Sequence, residues 1–396
     1  MGAADIEATL EYFRCLGTLV DQRWSSRGSR PDLLPAIAVA ALEEVPLPRP
    51  VDSRSVLSAL SAGTGLPVQR ASSTQFGQPP AVMYRGDELE VQALTWMEGT
   101  TTIHQHGFDG AFRVLQGSSL HVEYSFNESE ALADGHLVVG ALEVGEPEIL
   151  STGAIRAIPA GRDFIHALFH LERPSTTIVV RNQWSDLPFP QYDYRLPGLG
   201  IDALYPDDRL LMRLRGLDSL RRLDVGSALD VALDICHSQD LWTSFRVCDY
   251  WARTYGDGGD LSALVEEVGR RDSTLGQLLE PVYDEELRRG RLLARRSMLS
   301  AAHHRLFLAL IVNLPDRRSI YSAVSQAFPG EDPDALILRW VTELAAPANR
   351  GVSGLVLKPE DLEIVRKWLA DGGADDALGM VASRWRPPPL LEKLFS

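Results

Sequence analysis

Thr102-Ile103-His104-Gln105-His106 places two imidazoles two residues apart in an apolar, β-prone run. Successive side chains on a strand alternate faces, so His104 and His106 point the same way. Neutral imidazole binds iron, zinc, copper or nickel through a ring nitrogen. Two imidazoles on one strand face offer two adjacent positions on an ion, and a third must come from elsewhere. A candidate lies about sixty residues on, at the end of Pro159-Ala160-Gly161-Arg162-Asp163-Phe164-Ile165-His166. His170, four positions further on the same strand face, is the reserve ligand or a residue that orients one.

Together these two segments resemble the paired motifs of the cupin family of small β-barrels. The first motif is a glycine, a short gap, His-x-His, three or four residues, a glutamate, six residues and a glycine. Gly99, His104, His106 and Gly117 match it with the first gap one residue short, and Gly110 stands at the glutamate position. The second motif is a glycine, five residues, Pro-x-Gly, two residues, a histidine, three residues and an asparagine. Gly153, Pro159 and Gly161 match, His166 arrives two residues late, and His170 holds the asparagine position. The resemblance is confined to residues 77–185.

Within the cupins, a histidine triad without the glutamate is similar to the thiol dioxygenases, the cysteine dioxygenase group. The segments 94–99 and 112–117, and the run through Phe164, His166, His170 and Pro174, resemble that group's flanking sequence. The resemblance implies Fe(II) held by His104, His106 and His166, with a small thiol and O₂ taking the open positions. It implies an enzyme, an iron-dependent dioxygenase. Arg85 lies near the place where the group carries a carboxylate-binding arginine. Where the group carries Ser-x-His-x-Tyr, this chain reads Thr177-Ile178-Val179-Val180-Arg181. That departure points away from free cysteine. By parity Arg181 shares a face with Thr177 and Val179, and its fork of donors suits an anionic substrate group.

Each of these residues has an ordinary alternative. Arg85 reads first as plain surface and second as a substrate clamp, and Gly110 reads as a turn residue in a barrel that holds no metal. His121 reads as a solvated or structural strand residue, and His136 as exposed. Two buried histidines with no partner would carry a desolvation cost without benefit, which favours ligation. Other classes stay open: a different metal-dependent cupin enzyme (isomerase, lyase or non-thiol oxygenase), or a non-enzymatic sensor or scaffold.

The chain has 396 residues, 45% hydrophobic and 23% charged, with a formal net charge of −15. That length predicts two domains. The acidic balance argues against broad electrostatic binding to nucleic acid or to an anionic membrane. Cys15, Cys236 and Cys248 are scattered and odd in number, so the natural setting is a reducing cytoplasm. No run is long or apolar enough to span a bilayer.

The predicted class is α+β: a cupin-type antiparallel barrel (jelly roll) with helices before it and an all-α domain after it. Residues 1–75 form the N-terminal helical segment, with Ile6, Leu10, Phe13, Leu16 and Val20 at helical spacing. Further helices are expected over 32–44 and 51–60. Residues 76–185 form the barrel, with strands at 80–84, 89–96, 101–106, 111–116, 119–126, 137–143, 154–158, 164–171 and 175–182. Pro188, Pro190, Pro197, Gly198 and Gly200 mark 186–205 as a linker. Residues 206–396 read as all-helical, including single helices over 227–242 and 284–314. His303 and His304 are adjacent, so on a helix they diverge by about 100° and make a poor chelate. Arg288, Arg289, Arg291, Arg295 and Arg296 read as solvated surface or as a dock for an acidic protein partner.

Overall fold

A computed structural model describes residues 3–47, 51–69, 76–183, 190–205, 207–256, 259–370 and 387–395. Residue 206, taken as the start of the helical region, lies outside these. Three helices come first: α1 (Ala3–Ser25), α2 (Leu34–Glu44) and α3 (Ser53–Ala62). The apolar stripe of α1 is buried at Leu10, Phe13, Leu16 and Val20. Asp52 caps α3 by accepting from the Ser55 amide at 2.8 Å, and Ser55 Oγ answers the Asp52 amide at 2.9 Å.

Eleven strands follow among the described residues. They are β1 (Pro80–Arg85), β2 (Leu89–Trp96), β3 (Ile103–His106), β4 (Gly110–Gln116), β5 (Ser118–Leu132), β6 (Leu137–Ser151), β7 (Ile155–Ile158), β8 (Gly161–His170), β9 (Ser175–Asn182), β10 (Tyr192–Arg195) and β11 (Leu199–Asp202). One sheet runs β1-β2-β9-β4-β7, and a closed barrel runs β10-β11-β6-β5-β8-β3. Every ladder is antiparallel. The class is α+β, as the patterning predicts.

Parity sorts the five-stranded sheet. Ala111, Ile178 and Val180 face the core made with α1–α3. Phe112, Thr177, Val179 and Arg181 face a cavity on the other side. This second face therefore carries the site.

Residues 186–189, with Pro188, lie outside the described residues, and the described part of the expected linker, 190–205, is built into the barrel. β10 pairs with β3, matching Asp193 to His104, and β11 pairs with β6, so this hairpin closes the barrel. At the return between β10 and β11, Gly198 passes so close to the Gly140 carbonyl that a Cβ there would lie 1.8 Å from the oxygen.

The described residues after Asp202 contain no strand. The helices are α4 (Asp208–Leu223), α5 (Val225–Ser238), α6 (Leu241–Tyr255), α7 (Gly259–Arg271), α8 (Ser273–Leu293), α9 (Ala302–Asn313), α10 (Arg317–Ala327), α11 (Pro333–Ala345), α12 (Arg350–Ser353) and α13 (Pro359–Ala370). Two expected single helices are split. Asp240 caps α6 by accepting from the Thr243 amide at 2.8 Å, which starts a new helix where 227–242 reads as continuous. Between α8 and α9 the chain turns so that the Arg296 carbonyl accepts from Arg173 at 2.7 Å. Arg296 and Arg305 then both donate to the His170 carbonyl, at 2.6 and 3.3 Å.

The basic cluster is thus a solvated face only in part, with Arg291 exposed and Arg288 and Arg295 half-buried. Arg289 and Arg296 are buried, and Arg289 donates to the Val312 carbonyl at 3.0 Å. Barrel residues Ile103, Phe126 and Phe169 share one apolar core with Leu306, Phe307, Ile311 and Trp340. Leu137, Leu199 and Ile201 share another with Phe245, Trp251 and Leu275. No helix among the described residues is long and apolar enough to cross a membrane.

Candidate metal centre

β3 presents His104 and His106, and β8 lies beside it with His104 opposite His166. The pairing shifts register between Gln105 and His106, so that His106 lies opposite Gly161. The three imidazoles come together, with ligand atoms all within 4.8 Å of one another. His106 Nε2 and His166 Nε2 are 3.0 Å apart. Two nitrogens each about 2.1 Å from one ion, at right angles, would be separated by about this much. His104 Nδ1 lies 2.9 Å from the Thr102 carbonyl, which can only accept, so Nδ1 carries the proton and Nε2 keeps its lone pair.

Burial pushes His104 down to about 4, and burial followed by repulsion from neighbouring rings holds His106 and His166 well below the usual histidine range. All three are therefore neutral near pH 7, the form that donates a lone pair. His106 Nδ1 is buried without a hydrogen-bond partner. This neutral, all-nitrogen donor set fits a divalent transition metal and makes a possible three-histidine metal site.

Among the described residues no carboxylate or thiol is grouped with the triad. Gly110, at the expected glutamate position, packs so tightly on β9 that a Cβ would lie 2.0 Å from the Val180 oxygen. Asp109 beside it is occupied elsewhere, accepting from the Ala160 amide at 3.0 Å.

His170 stands apart from the triad. Its Nδ1 lies 2.8 Å from Ser119 Oγ, and its ring stacks on Trp96 with centroids 4.9 Å apart. Burial, then the charge on Arg296, takes it down to about 3.

His121 is fully buried, and sequence reasoning missed its role. Its Nε2 is 3.0 Å from His166 Nδ1, and its Nδ1 is 2.9 Å from Glu148 Oε1. The hydrogen bond from His121, followed by that from Arg156, pulls Glu148 down to about 2 against its partial burial. An ionised carboxylate only accepts, so His121 Nδ1 donates to it. When His166 binds a metal through Nε2, its Nδ1 carries the proton and donates to His121 Nε2. The missing signal was the pairing of β5 with β8, which places Glu123 opposite His166 and brings His121 within reach.

The triad opens onto a cavity of about 460 Å³. Phe76, Trp96, Phe108, Phe112, Leu168 and Val179 line its walls. Both candidate arginines reach it. Arg181 is 3% exposed, its guanidinium lies 3.7 Å from the Phe108 ring centroid, and burial pushes it down to about 9. It stays cationic at neutral pH. Arg85 donates to Glu90 Oε1 at 2.9 Å, so it is already ion-paired inside the cavity. His136 is half-buried, with Nδ1 3.1 Å from Asp202.

No family model matches this chain, and no curated protein matches it. It is similar in part to solved structures. One is a cupin-2 domain protein from Shewanella frigidimarina, 16% identical over 28% of this chain and 85% of that one, with TM-score 0.19. Another is KdgF from a Halomonas species, 19% identical over 27% and 79%, with TM-score 0.20. A third is hydroquinone 1,2-dioxygenase from a Sphingomonas species, 13% identical over 28% and 68%, with TM-score 0.22. The fold is defined by the strand order and registers of the barrel and sheet.

Proposed function

We propose that this protein is an Fe(II)-dependent oxygenase that uses O₂ on a small organic substrate, with a thiol as the first class to test. The observation that supports it is the convergence of His104, His106 and His166, with no carboxylate grouped with them among the described residues, on a largely apolar cavity. Bound iron(II) would supply the redox chemistry that O₂ requires and positions for both reactants. The chain supplies the rest. Glu148 and His121 hold His166 in the tautomer that faces inward. Phe108, Phe112 and Trp96 exclude water. Arg181 offers a buried cation for an anionic substrate group.

The cavity favours a second reading within the same class. Its 460 Å³ and aromatic walls suit a larger, flatter substrate than free cysteine, within the roughly 300–1,000 Å³ range of small-molecule sites. Oxygen uptake by anaerobically iron-loaded protein is the test. The panel is cysteine, cysteamine, mercaptopropionate, larger aryl and alkyl thiols, and aromatic acids without sulfur. Thiol-dependent uptake with a sulfinate product supports the first reading, and uptake with the sulfur-free acids alone supports the second. No stoichiometric metal after loading would refute both.

A further inference from the structure

Far from the barrel cavity, His303 and His304 lie in the first turn of α9, and Glu343 lies near the end of α11. On the helix alone the histidines diverge. Packing of α11 on α9 changes that, because Glu343 sits between them, with Oε2 2.8 Å from His303 Nε2 and 2.9 Å from His304 Nε2. The three ligand atoms lie within 4.8 Å of one another.

We propose that His303, His304 and Glu343 form a second divalent-metal site, tying α9 to α11, whose occupant is a zinc-like borderline ion. Two imidazoles and one carboxylate are a donor set that zinc takes, leaving a fourth position for water. The accessibility fits. The His304 side chain is 9% exposed and anchors the set, while His303 and Glu343 are each 40% exposed and give an ion a way in. The His303 ring is steadied by Trp340, stacked at 6.3 Å and 25°. Among the described residues the hydrogen-bond partners of Glu343 Oε2 are the two histidines, and both hold its carboxyl below the ordinary range against its burial. The site does not rest on the oxygenase reading.

A carboxylate that merely accepts two imidazole N–H bonds would give the same metal-free geometry. Glu343→Gln separates the two cases, because the amide oxygen still accepts those bonds but is a poor metal ligand. The full chain, stripped with chelator, is titrated with Zn²⁺ and with Co²⁺, counting bound ions and following the visible Co²⁺ spectrum. In the His104→Ala/His106→Ala background the expected result is one ion per chain. Glu343→Gln or His303→Gln in that background should weaken Zn²⁺ binding by roughly 100-fold or more. The metal-free melting temperature of Glu343→Gln should stay close to that of its parent. The proposal is overturned if the double-alanine background binds no ion, or if its ion survives both His303→Gln and Glu343→Gln. Failure of the barrel site shows separately, as an ion count unchanged by the alanine pair.

Discussion

His121 Nε2 lies 3.0 Å from His166 Nδ1, and through this contact the half-exposed Glu148 acts on a buried ring of the triad. A histidine that must keep one nitrogen bare is best fixed by a firm acceptor on the other. Here the acceptor is another histidine, itself fixed by a carboxylate that Arg156 grips.

Removing either outer member should therefore loosen the metal without touching a ligand. Glu148→Ala and His121→Phe are each expected to weaken divalent-metal binding about 10- to 100-fold. The double variant should be little worse than either single one, because both act through one bond chain. Competition titration against a chromophoric chelator measures this. Full wild-type affinity in His121→Phe would remove the chain from any role in orienting His166.

Arg181→Met should raise KM for an anionic substrate about 10- to 100-fold with kcat little changed, the signature of a lost charge-assisted contact. A neutral analogue should be unaffected by the same change. Steady-state oxygen uptake with a matched acid and amide tests it, and equal effects on both would mean that Arg181 only shapes the wall.

Gly110→Glu should not rebuild a four-ligand site. Its Cβ would fall 2.0 Å from the Val180 oxygen, so β4 and β9 must separate locally. A destabilisation of about 3 kcal/mol or more is expected, comparable to severe overpacking. Denaturant melts and metal titration of the variant check both halves, and a stable variant with tightened metal binding would contradict the geometry.

The buried pair Arg195–Asp249 joins the closing hairpin to α6, with Arg195 Nη2 donating to Asp249 Oδ2 at 3.1 Å. Burial raises the Asp249 carboxyl, but the Arg195 charge outweighs it and the group sits below its ordinary value. A depressed folded value means that the contribution is complete above about pH 4 and is lost as the pH falls further. Asp249→Asn should cost about 3–5 kcal/mol at pH 7, by stranding a buried guanidinium. It should also flatten the acid limb of the stability curve, as urea melts from pH 2.5 to 7 would record.

Much of this was legible in the sequence because strand alternation is a local rule. His104 and His106 share a face by parity alone, as do Thr177, Val179 and Arg181, and the structure lines one cavity with all five. Relations between distant strands were not legible. His121 reads as ordinary until β5 is laid against β8. The closing hairpin was hidden by its own turn chemistry, since Pro197, Gly198 and Gly200 are breakers in any local reading. The basic run at 288–296 looks solvated until the barrel is placed beside it, where Arg296 finds the His170 carbonyl. His303 and His304 diverge on an isolated helix and meet only through Glu343, which belongs to another.

The seam between barrel and helices makes this chain a poor donor of parts. Ile103, Phe169, Tyr192 and Tyr194 turn toward the helices, and Leu306, Phe307 and Trp340 cover them. A gene fragment ending near residue 205 would encode every triad ligand, yet it would turn that wall out to water, the kind of contiguous apolar surface that invites aggregation. It would also leave the His170 carbonyl without the donors of Arg296 and Arg305. Anyone who wants to transplant the cavity into another scaffold must bring the covering helices with it, or redesign the wall they hide.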